Sequence, residues 1–332
     1  MSQTNRRWIF AKPPEGRIGP DTFRLEIAPL PVPGPGEVLV RTLLLSLDAA
    51  NRAWMMGKTY RAALQVGGVM DGFAIGEVVA SNSPDFAVGD RVEGSLGWQL
   101  FACLPASALT KRRADVAPEL LVGALSVTGL TAYFGLLEVG RPKPGETVLV
   151  SAAAGAVGTM VGQIAKLAGC RVVGTARGAD KGEWLVRELG FDAVVDYTQP
   201  GLRRALAAAC PRGIDVFFDN TGGPVLDAAL TLMNVRGRVA CCGNVSQYNV
   251  DKPGPGPMAV PGLVVVKRLR LEGFIVMDFF DRREAAEAQI AEWVAAGKVK
   301  AVMDTLDGLE RAPEALIRLL DGGNRGKVAV RM

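Results

Sequence analysis

Residues 152–158 have the composition and spacing of a phosphate-binding turn. They read Ala-Ala-Ala-Gly-Ala-Val-Gly, which places small residues at Ala152, Gly155 and Gly158. An aliphatic run at 147–150 precedes the turn, and apolar residues at helical spacing follow it. A strand, a tight turn and a helix in this order direct backbone N–H groups and the positive end of a helix dipole at one point. The pattern therefore predicts a site for the diphosphate of a dinucleotide.

The rest of the chain supplies the sheet that such a turn requires. The glycine spacing alone is weak evidence, because a relaxed fingerprint of this kind also occurs in ordinary strand-to-helix turns. Further short apolar runs lie at residues 171–175, 193–196, 214–219 and 238–242, with helical stretches between them at 184–189, 202–209 and 225–233. This alternation predicts an α/β fold built on a Rossmann doubly wound parallel sheet.

Both ends of the chain have a different pattern. Short candidate strands separated by Gly, Pro and Asp, which are typical of antiparallel β structure, lie at residues 37–43, 73–80 and 88–94. Residues 120–137 read as helical, and a final strand at 327–331 needs a sheet to pair with. We therefore predict two domains: a discontinuous antiparallel β domain, residues 1–125 and 300–332, and a nucleotide-binding domain, residues 126–299.

The composition limits the chemistry that the chain can perform. Its 332 residues include no histidine, which excludes Ser-His-Asp hydrolysis, Cys-His proteolysis and imidazole acid–base catalysis. The five cysteines, Cys103, Cys170, Cys210, Cys241 and Cys242, contain no C-x-x-C pair, so no zinc site is expected. Proton transfer then falls to Tyr, Lys, Asp, Glu, Cys, a cofactor or water.

Charge and hydropathy argue against nucleic acids and membranes as partners. The net charge of +4 is slight, and the basic run at 111–113 lacks the interleaved aromatic residues of a nucleic-acid surface. No apolar run reaches membrane-spanning length and no apolar signal core is evident. We expect no nucleic-acid partner, no membrane association and a cytoplasmic location, where unpaired thiols persist.

Motifs spread over nearly the whole chain resemble those of one enzyme superfamily. They lie at residues 45–48, 129–137, 145–150, 152–158, 218–223, 242–249, 272–276 and 324–327. In this order they resemble the medium-chain dehydrogenase/reductase superfamily. Within it, the chain looks like the zinc-independent group of leukotriene B4 12-hydroxydehydrogenase/prostaglandin reductases, plant alkenal double-bond reductases and bacterial curcumin reductase-like enzymes.

The resemblance implies a specific architecture and activity. It implies a GroES-like β domain made from both chain ends, and a homodimer joined through the nucleotide-binding domains. It also implies NADPH-dependent reduction of the carbon–carbon double bond of enones and enals. One departure concerns Ala49 and Ala50, which stand where many eukaryotic members have Pro-Tyr. Since a tyrosine contact to substrate is missing, the resemblance does not by itself imply eicosanoid specificity.

The second strand of the predicted sheet indicates the cofactor. It ends Gly-Thr-Ala-Arg at residues 174–177, without the carboxylate that NAD enzymes place there, which favours NADPH. By resemblance Lys181 and Tyr197 contact the 2′-phosphate; Arg177 could add a second cation, whereas Asp180 would dilute the charge of Lys181. The cofactor-binding residues expected from the turn and the resemblance are Gly155, Ala156, Val157, Gly158, Lys181, Tyr197, Asn220, Cys242, Gly243, Asn244, Val245, Ser246, Gln247, Tyr248, Phe274, Ile275, Val276 and Asn324.

Tyr248 is the predicted catalytic residue. Hydride addition to the β-carbon of an enone pushes charge onto the carbonyl oxygen, which then needs hydrogen-bond donors. A phenol is the best side-chain donor in a chain without histidine, and by resemblance the loop that contains Tyr248 reaches the nicotinamide. A cofactor ribose hydroxyl is the expected second donor, and water the proton source. Alternatively, Tyr248 only orders the loop. Candidate substrate-pocket residues are Trp54, Tyr60 and Phe279.

Three other functions fit the same pattern. The first is a zinc-free alcohol dehydrogenase or carbonyl reductase, which would give an allylic alcohol from an enone instead of a saturated ketone. The second is a quinone reductase of the same superfamily. The third is a nucleotide-binding protein without turnover, similar to crystallin-like relatives, which would bind NADPH and oxidise none with any acceptor.

Overall fold

The computed structural model describes residues 4–250, 256 and 258–332. They form two compact units. The first comprises the described residues of Met1–Val122 together with Met303–Gly323 and Lys327–Met332, and the second comprises those of Gly123–Val302 together with Asn324–Gly326. The three-residue segment Asn324–Gly326 thus belongs to the second unit although both its neighbours in the chain belong to the first.

The bounds of the strands and of the α-helices are as follows. The strands are β1 (Thr4–Phe10), β2 (Phe23–Pro29), β3 (Glu37–Leu47), β4 (Ala74–Ser81), β5 (Arg91–Gly94), β6 (Phe101–Pro105), β7 (Thr110–Lys111), β8 (Thr147–Val150), β9 (Arg171–Ala176), β10 (Ala193–Asp196), β11 (Ile214–Asp219), β12 (Met233–Cys241), β13 (Arg270–Gly273), β14 (Met303–Asp307) and β15 (Lys327–Arg331). The α-helices are α1 (Ala49–Met55), α2 (Pro118–Val122), α3 (Val127–Phe134), α4 (Ala156–Leu167), α5 (Ala179–Leu189), α6 (Leu202–Ala209), α7 (Gly223–Leu232), α8 (Val260–Lys267), α9 (Arg283–Ala295) and α10 (Ala312–Leu320).

The first unit is a GroES-like β structure. Its main sheet has the order β14-β15-β3-β4-β5-β7, with β6 also paired to β3, and β1 and β2 form a separate hairpin. The last strand β15 pairs antiparallel with β3, with Val328 opposite Leu47, as the sequence predicts. Lys327 is 3% exposed and forms an ion pair with Asp48 directly after β3. Burial lowers the pKa of Lys327, and Asp48 opposes that shift.

The second unit is the predicted Rossmann sheet. Its six strands have the order β10-β9-β8-β11-β12-β13, and all adjacent pairs are parallel. The chain starts at the middle strand β8, builds one half outward to β10, and then returns to build the other half from β11. The carboxyl ends of β8 and β11 therefore flank the point at which the strand order reverses, where open α/β sheets bind ligands.

Two glycines make room for the Phe191 ring between α4 and β9. A Cβ on Gly162 would lie 2.0 Å from Cζ of Phe191, and one on Gly174 would lie 3.1 Å from Cδ1 of the same ring and 2.7 Å from Cβ of Ala153. Real side chains do not approach as closely as 2.0 or 2.7 Å, so these positions require glycine.

The structure refines the expected helices in two places. Residues 120–137, predicted as helical, form most of α2, all of α3 and the start of a π-helical turn at Gly135–Gly140. The break occurs because Ser126 begins a new helix, its side chain accepting a hydrogen bond from the backbone N–H of Thr128. Met233, predicted to end a helix, instead begins β12 opposite Ile214. Within the residues that the structure describes, no helix is long and apolar enough to cross a membrane.

Candidate active site

The predicted diphosphate turn follows β8 as expected. Ala152 has a φ of +48°, and the N–H of Ala153 donates to Thr175 O at 2.9 Å, which ties the turn to β9. A Cβ on Gly158 would lie 2.3 Å from Ala152 O. The N-cap residue of α4, Gly155, brings no side chain to the N–H groups of the first helical turn. Those groups are thus presented to a ligand, and the cradle fits a diphosphate.

The segment Asn324–Gly326 packs beside this turn. The N–H of Gly326 donates to Ala154 O at 2.8 Å, and Gly326 forms an isolated parallel bridge with Gly155. Gly326 has a φ of +73°, and a Cβ there would lie 2.3 Å from Val302 O, so glycine is required. The side chain of Asn324, 7% exposed, donates from Nδ2 to Gly326 O at 2.8 Å. The predicted cofactor residue Asn324 therefore lies beside the diphosphate turn.

A buried carboxylate organises the switch point of the sheet. Oδ1 of Asp219, at the end of β11, accepts hydrogen bonds from Ser151 Oγ at 2.9 Å and from the Thr221 N–H at 2.9 Å. Burial raises the pKa of Asp219, and these hydrogen bonds oppose the rise. Asn220 donates its N–H to Ser151 Oγ at 2.8 Å and its Nδ2 to Ser151 O at 2.7 Å. Asn220 is thus locked between the ends of β8 and β11.

The same carboxyl edge holds the loop that contains Tyr248. The N–H groups of Cys242 and Gly243 donate to Asp219 O at 2.8 and 3.1 Å, and the Ser246 N–H donates to Thr221 O at 3.1 Å. Tyr248 caps a 3-10 turn at Val245–Gln247 and is partly buried. The structure therefore brings the predicted loop residues, including Asn244, Val245 and Gln247, to the end of β11 beside Asn220.

The residues predicted to bind the 2′-phosphate lie at the carboxyl ends of β9 and β10, the strands on one side of β8. Arg177 follows β9 directly and is exposed. The N–H of Tyr197 donates to Ala176 O at 3.3 Å, and the Tyr197 side chain is 37% exposed. Lys181, in the first turn of α5, donates from Nζ to Asn324 O. Asp196 lies nearby at the end of β10, and bonds from Thr198 lower its pKa to about 2.

Phe274, Ile275 and Val276 follow the edge strand β13. The Phe274 ring packs edge-to-face on Phe218, with centroids 6.1 Å apart, and a Cβ on Gly135 would lie 2.2 Å from Phe274 Cζ. Val276 is 6% exposed. Because the Phe274 ring packs on Phe218 and the Val276 side chain is buried, these side chains face away from a cofactor, and the segment can offer the cofactor its backbone groups.

The candidate substrate residues divide between the two units. In the first unit, Trp54 Nε1 donates to the Tyr60 hydroxyl at 3.3 Å, and the Arg61 guanidinium lies 4.3 Å from the Trp54 ring centroid. Arg61 also forms an ion pair with Asp71. In the second unit, Phe279 stacks on Phe134, with centroids 4.9 Å apart. The Trp54–Tyr60 pair is thus a defined aromatic cluster.

Sequence reasoning missed two residues that hold the site together. Ser151 and Asp219 carry most of the hydrogen bonds at the switch point, yet neither was predicted to have a role. The available signal was a polar residue at the end of each of two buried strands, where side chains reach the carboxyl edge of a parallel sheet.

The thiols and acids offer no metal site among the residues that the structure describes. No group of three or more Cys, Asp or Glu side chains there is placed to hold an ion. All five cysteines are free. Burial raises the pKa of Cys170 and Cys210 to about 11, and that of Cys242 to about 12. These thiols stay protonated near neutral pH and are poor nucleophiles.

The fold and the site define a two-domain oxidoreductase with a dinucleotide-binding Rossmann sheet. A family model described as the N-terminal domain of oxidoreductase matches residues 6–111, and one described as zinc-binding dehydrogenase matches residues 156–307. The chain belongs to the medium-chain dehydrogenase/reductase family, in the zinc-independent group that contains the curcumin, prostaglandin and alkenal reductases.

Individual relatives match over nearly their full length. The chain is 44% identical to the NADPH-dependent curcumin reductase of Escherichia coli, covering 100% of this chain and 98% of the relative. It is 40% identical to the NADP-dependent 2-alkenal reductase of Nicotiana tabacum, covering 90% and 88%. The crystal structure of CurA from Vibrio vulnificus in complex with NADPH is similar with a TM-score of 0.94 and 38% identity, covering 98% and 99%.

Proposed function

We propose that this chain is an NADPH-dependent reductase of the carbon–carbon double bond in enones and enals. The observation that carries the proposal is a dinucleotide cradle in a chain that has no histidine. Without zinc or histidine, reduction of a C=O bond would need another means of polarising the carbonyl, whereas a conjugated double bond accepts a hydride with the charge delocalised onto a distant oxygen. The curcumin and alkenal reductases among its relatives support this choice.

The second unit holds the cofactor in this proposal. The first-turn amides of α4 bind the diphosphate, Lys181 and Tyr197 bind the 2′-phosphate, and Asn220, the Cys242–Tyr248 loop and the backbone after β13 hold the nicotinamide half. When bound, NADPH supplies the hydride. The candidate substrate residues of this proposal are Trp54 and Tyr60 in the first unit and Phe279 in the second.

Tyr248 donates a hydrogen bond to the substrate carbonyl oxygen. Negative charge develops on that oxygen as the β-carbon is reduced, and a fixed phenol donor stabilises it without reorganisation. The loop that positions Tyr248 is anchored by backbone hydrogen bonds to Asp219 and Thr221, so the donor is held by the sheet edge. Water then protonates the α-carbon.

A screen of electrophiles tests the reaction class. NADPH oxidation is followed with enals, enones, quinones and saturated ketones, and each product is identified. We expect saturated aldehydes and ketones from the conjugated substrates, with slow or no turnover of saturated ketones. Allylic alcohol as the main product would overturn the proposal, as would turnover confined to quinones.

The Tyr248→Phe variant tests the donor. We expect kcat for an enone to fall about 100-fold, as when one oxyanion donor is lost, while NADPH affinity stays within about twofold. The Tyr133→Phe variant is the matched control, since the Tyr133 ring packs on Phe134 and Trp293 in the second unit. An unchanged kcat in Tyr248→Phe would remove the assignment.

We propose that the chain forms a homodimer through its nucleotide-binding units. The strand β13 is an edge of the six-stranded sheet, so its outer backbone groups are available for pairing. In the preceding helix α8, Val265 and Val266 are 74% and 68% exposed. Met258, two residues before this helix, is 90% exposed. Apolar side chains next to an open sheet edge are typical of a self-association surface.

We also propose a cytoplasmic location. The five unpaired thiols fit a reducing, cytoplasmic setting.

Light scattering after gel filtration tests the dimer. We expect a mass twice that of one chain for the parent protein. In the Val266→Asp variant we expect the measured mass to fall towards that of a single chain. Ile27→Asp is the matched control, because Ile27 is also 68% exposed but lies in the hairpin of the first unit. A monomeric parent protein would contradict the dimer.

A further inference from the structure

The segment Asn324–Gly326 touches both ends of the proposed cofactor site. On one side Gly326 donates to Ala154 O in the diphosphate turn. On the other, the carbonyl of Asn324 accepts a hydrogen bond from Lys181 Nζ. That carbonyl carbon is bonded directly to the nitrogen of Arg325, so the Lys181 ammonium lies next to the Arg325 backbone.

The Arg325 side chain packs against α5, the helix that contains Lys181. Its guanidinium carbon is 5.5 Å from the centroid of the Trp184 ring. Trp184 follows Lys181 by three residues in α5, and residues three apart share a helix face. Contact with an aromatic ring restrains the position of a guanidinium. The structure thus gathers two cations at the first turns of α5 from distant parts of the chain.

We infer that Arg325 is a specificity-determining residue for the 2′-phosphate of NADPH, acting with Lys181 as a two-cation clamp. This inference rests on the proposed cofactor site. An ammonium has three donors, so Lys181 can bond the Asn324 carbonyl and a phosphate together. The guanidinium supplies paired N–H groups that match phosphate oxygens.

The charges support a phosphate as the occupant. Lys181 and Arg325 both lie at the first turns of α5, and the exposed Arg177 lies four residues before Lys181 in the chain, directly after β9. Like charges held close together destabilise each other, and a phosphate dianion between them removes that cost. Asp180 in the first turn of α5 and Asp196 at the end of β10 carry opposing charges, but the Asp196 carboxylate is engaged by Thr198 Oγ1 at 2.7 Å and the Thr198 N–H at 3.0 Å.

Calorimetric titration with 2′,5′-ADP and with 5′-ADP tests the clamp without turnover. The two nucleotides differ in where they carry a phosphate, and only the first has the 2′-phosphate. For Arg325→Ala we expect Kd for 2′,5′-ADP to rise about tenfold, with Kd for 5′-ADP within about twofold. Trp184→Leu, which removes the platform, and Arg325→Lys, which removes the planar fork, should raise Kd by intermediate amounts.

A matched control and a second variant separate the possible failures. Arg187→Ala is the control, since Arg187 lies on α5, is 75% exposed and pairs with Glu183; we expect no change in either Kd. If Arg325→Ala changes both Kd values equally, or neither, while Lys181→Ala weakens 2′,5′-ADP selectively, the inference is wrong and the cofactor site stands. If the parent protein does not prefer 2′,5′-ADP, both are wrong.

Discussion

The two ends of the proposed cofactor site are built by different means. The diphosphate end, residues 152–158, uses backbone groups alone, and its shape depends on the absence of side chains: a Cβ on Gly158 would lie 2.3 Å from Ala152 O. The 2′-phosphate end uses the charged side chains of Lys181, Arg177 and Arg325, with Trp184 as a platform.

This difference predicts how each end fails and what each end selects. Backbone amides do not distinguish NADPH from NADH, because both carry the diphosphate, so damage there costs affinity for both. Side-chain cations at the 2′ position interact with a group that only NADPH has. We therefore expect the charged end to determine the preference for NADPH over NADH. The glycine end should contribute the affinity that is common to both cofactors.

The largest effect is expected at Gly158. Gly158→Val places a side chain against the backbone of Ala152, so we expect binding of NADPH and NADH to be lost together, measured by fluorescence titration. Gly158→Ala should lower the free energy of unfolding by about 1–3 kcal/mol, as overpacking does. Gly182→Ala is the control, since a Cβ there has only ordinary contacts at 3.5 Å. Loss of NADPH binding alone would contradict the backbone account.

Lys181→Ala should produce the opposite pattern. Loss of a charged hydrogen-bond partner costs about 1.5–3 kcal/mol, so we expect KM for NADPH to rise about tenfold or more. The KM for NADH should change by less than about twofold. Steady-state kinetics with both cofactors measure this, and Arg187→Ala serves again as the control. Equal effects on both cofactors would remove Lys181 from 2′-phosphate recognition.

Ser151→Ala tests the anchor at the switch point of the sheet, where β8 and β11 end. Ser151 Oγ donates to Asp219 and accepts from the Asn220 N–H, so the variant leaves buried groups without partners. We expect the free energy of unfolding to fall by about 1–3 kcal/mol and the affinities for both cofactors to fall by the same factor, measured by urea unfolding and titration. Ser83→Ala, in an exposed turn, is the control. A loss of affinity restricted to one cofactor would contradict this anchoring role.

The smallest effect concerns Asp196 at the charged end. Its pKa is lowered from 3.8 to about 2, so the carboxylate stabilises the folded state above pH 3.8, and this contribution is lost as pH falls towards 2. We expect Asp196→Asn to be less stable than the parent protein at pH 7 by under about 1 kcal/mol, because the group is exposed to solvent. Thermal unfolding across pH measures this. A stability difference that grows as pH falls would contradict the assignment.

The sequence could predict the glycine end because steric demands leave a local signature. Gly155 and Gly158 stand at fixed spacing after a buried strand, and strand–helix alternation specified the parallel sheet. The charged end was predicted only in part. Lys181 follows its strand closely, but the contact of Arg325 with Trp184 joins distant parts of the chain, and no local pattern reports such a contact. For the same reason Ser151 and Asp219, whose bond crosses from β8 to β11, were missed.

The π-helical turn at Gly135–Gly140 was also beyond local reasoning. Apolar spacing continues up to it, so periodicity alone does not mark it. Its environment is tertiary: a Cβ on Gly135 would meet the rings of Phe274 and Phe218.

The most direct test follows the hydride that this site is proposed to deliver from NADPH to the β-carbon of a conjugated carbonyl compound. NADPH carrying deuterium at both C4 positions is incubated with the protein and an aryl enone in ordinary water, and the product is examined by NMR. We expect a saturated ketone with one deuterium at the β-carbon and solvent hydrogen at the α-carbon. Deuterium on a carbinol carbon, in an allylic alcohol, would contradict it.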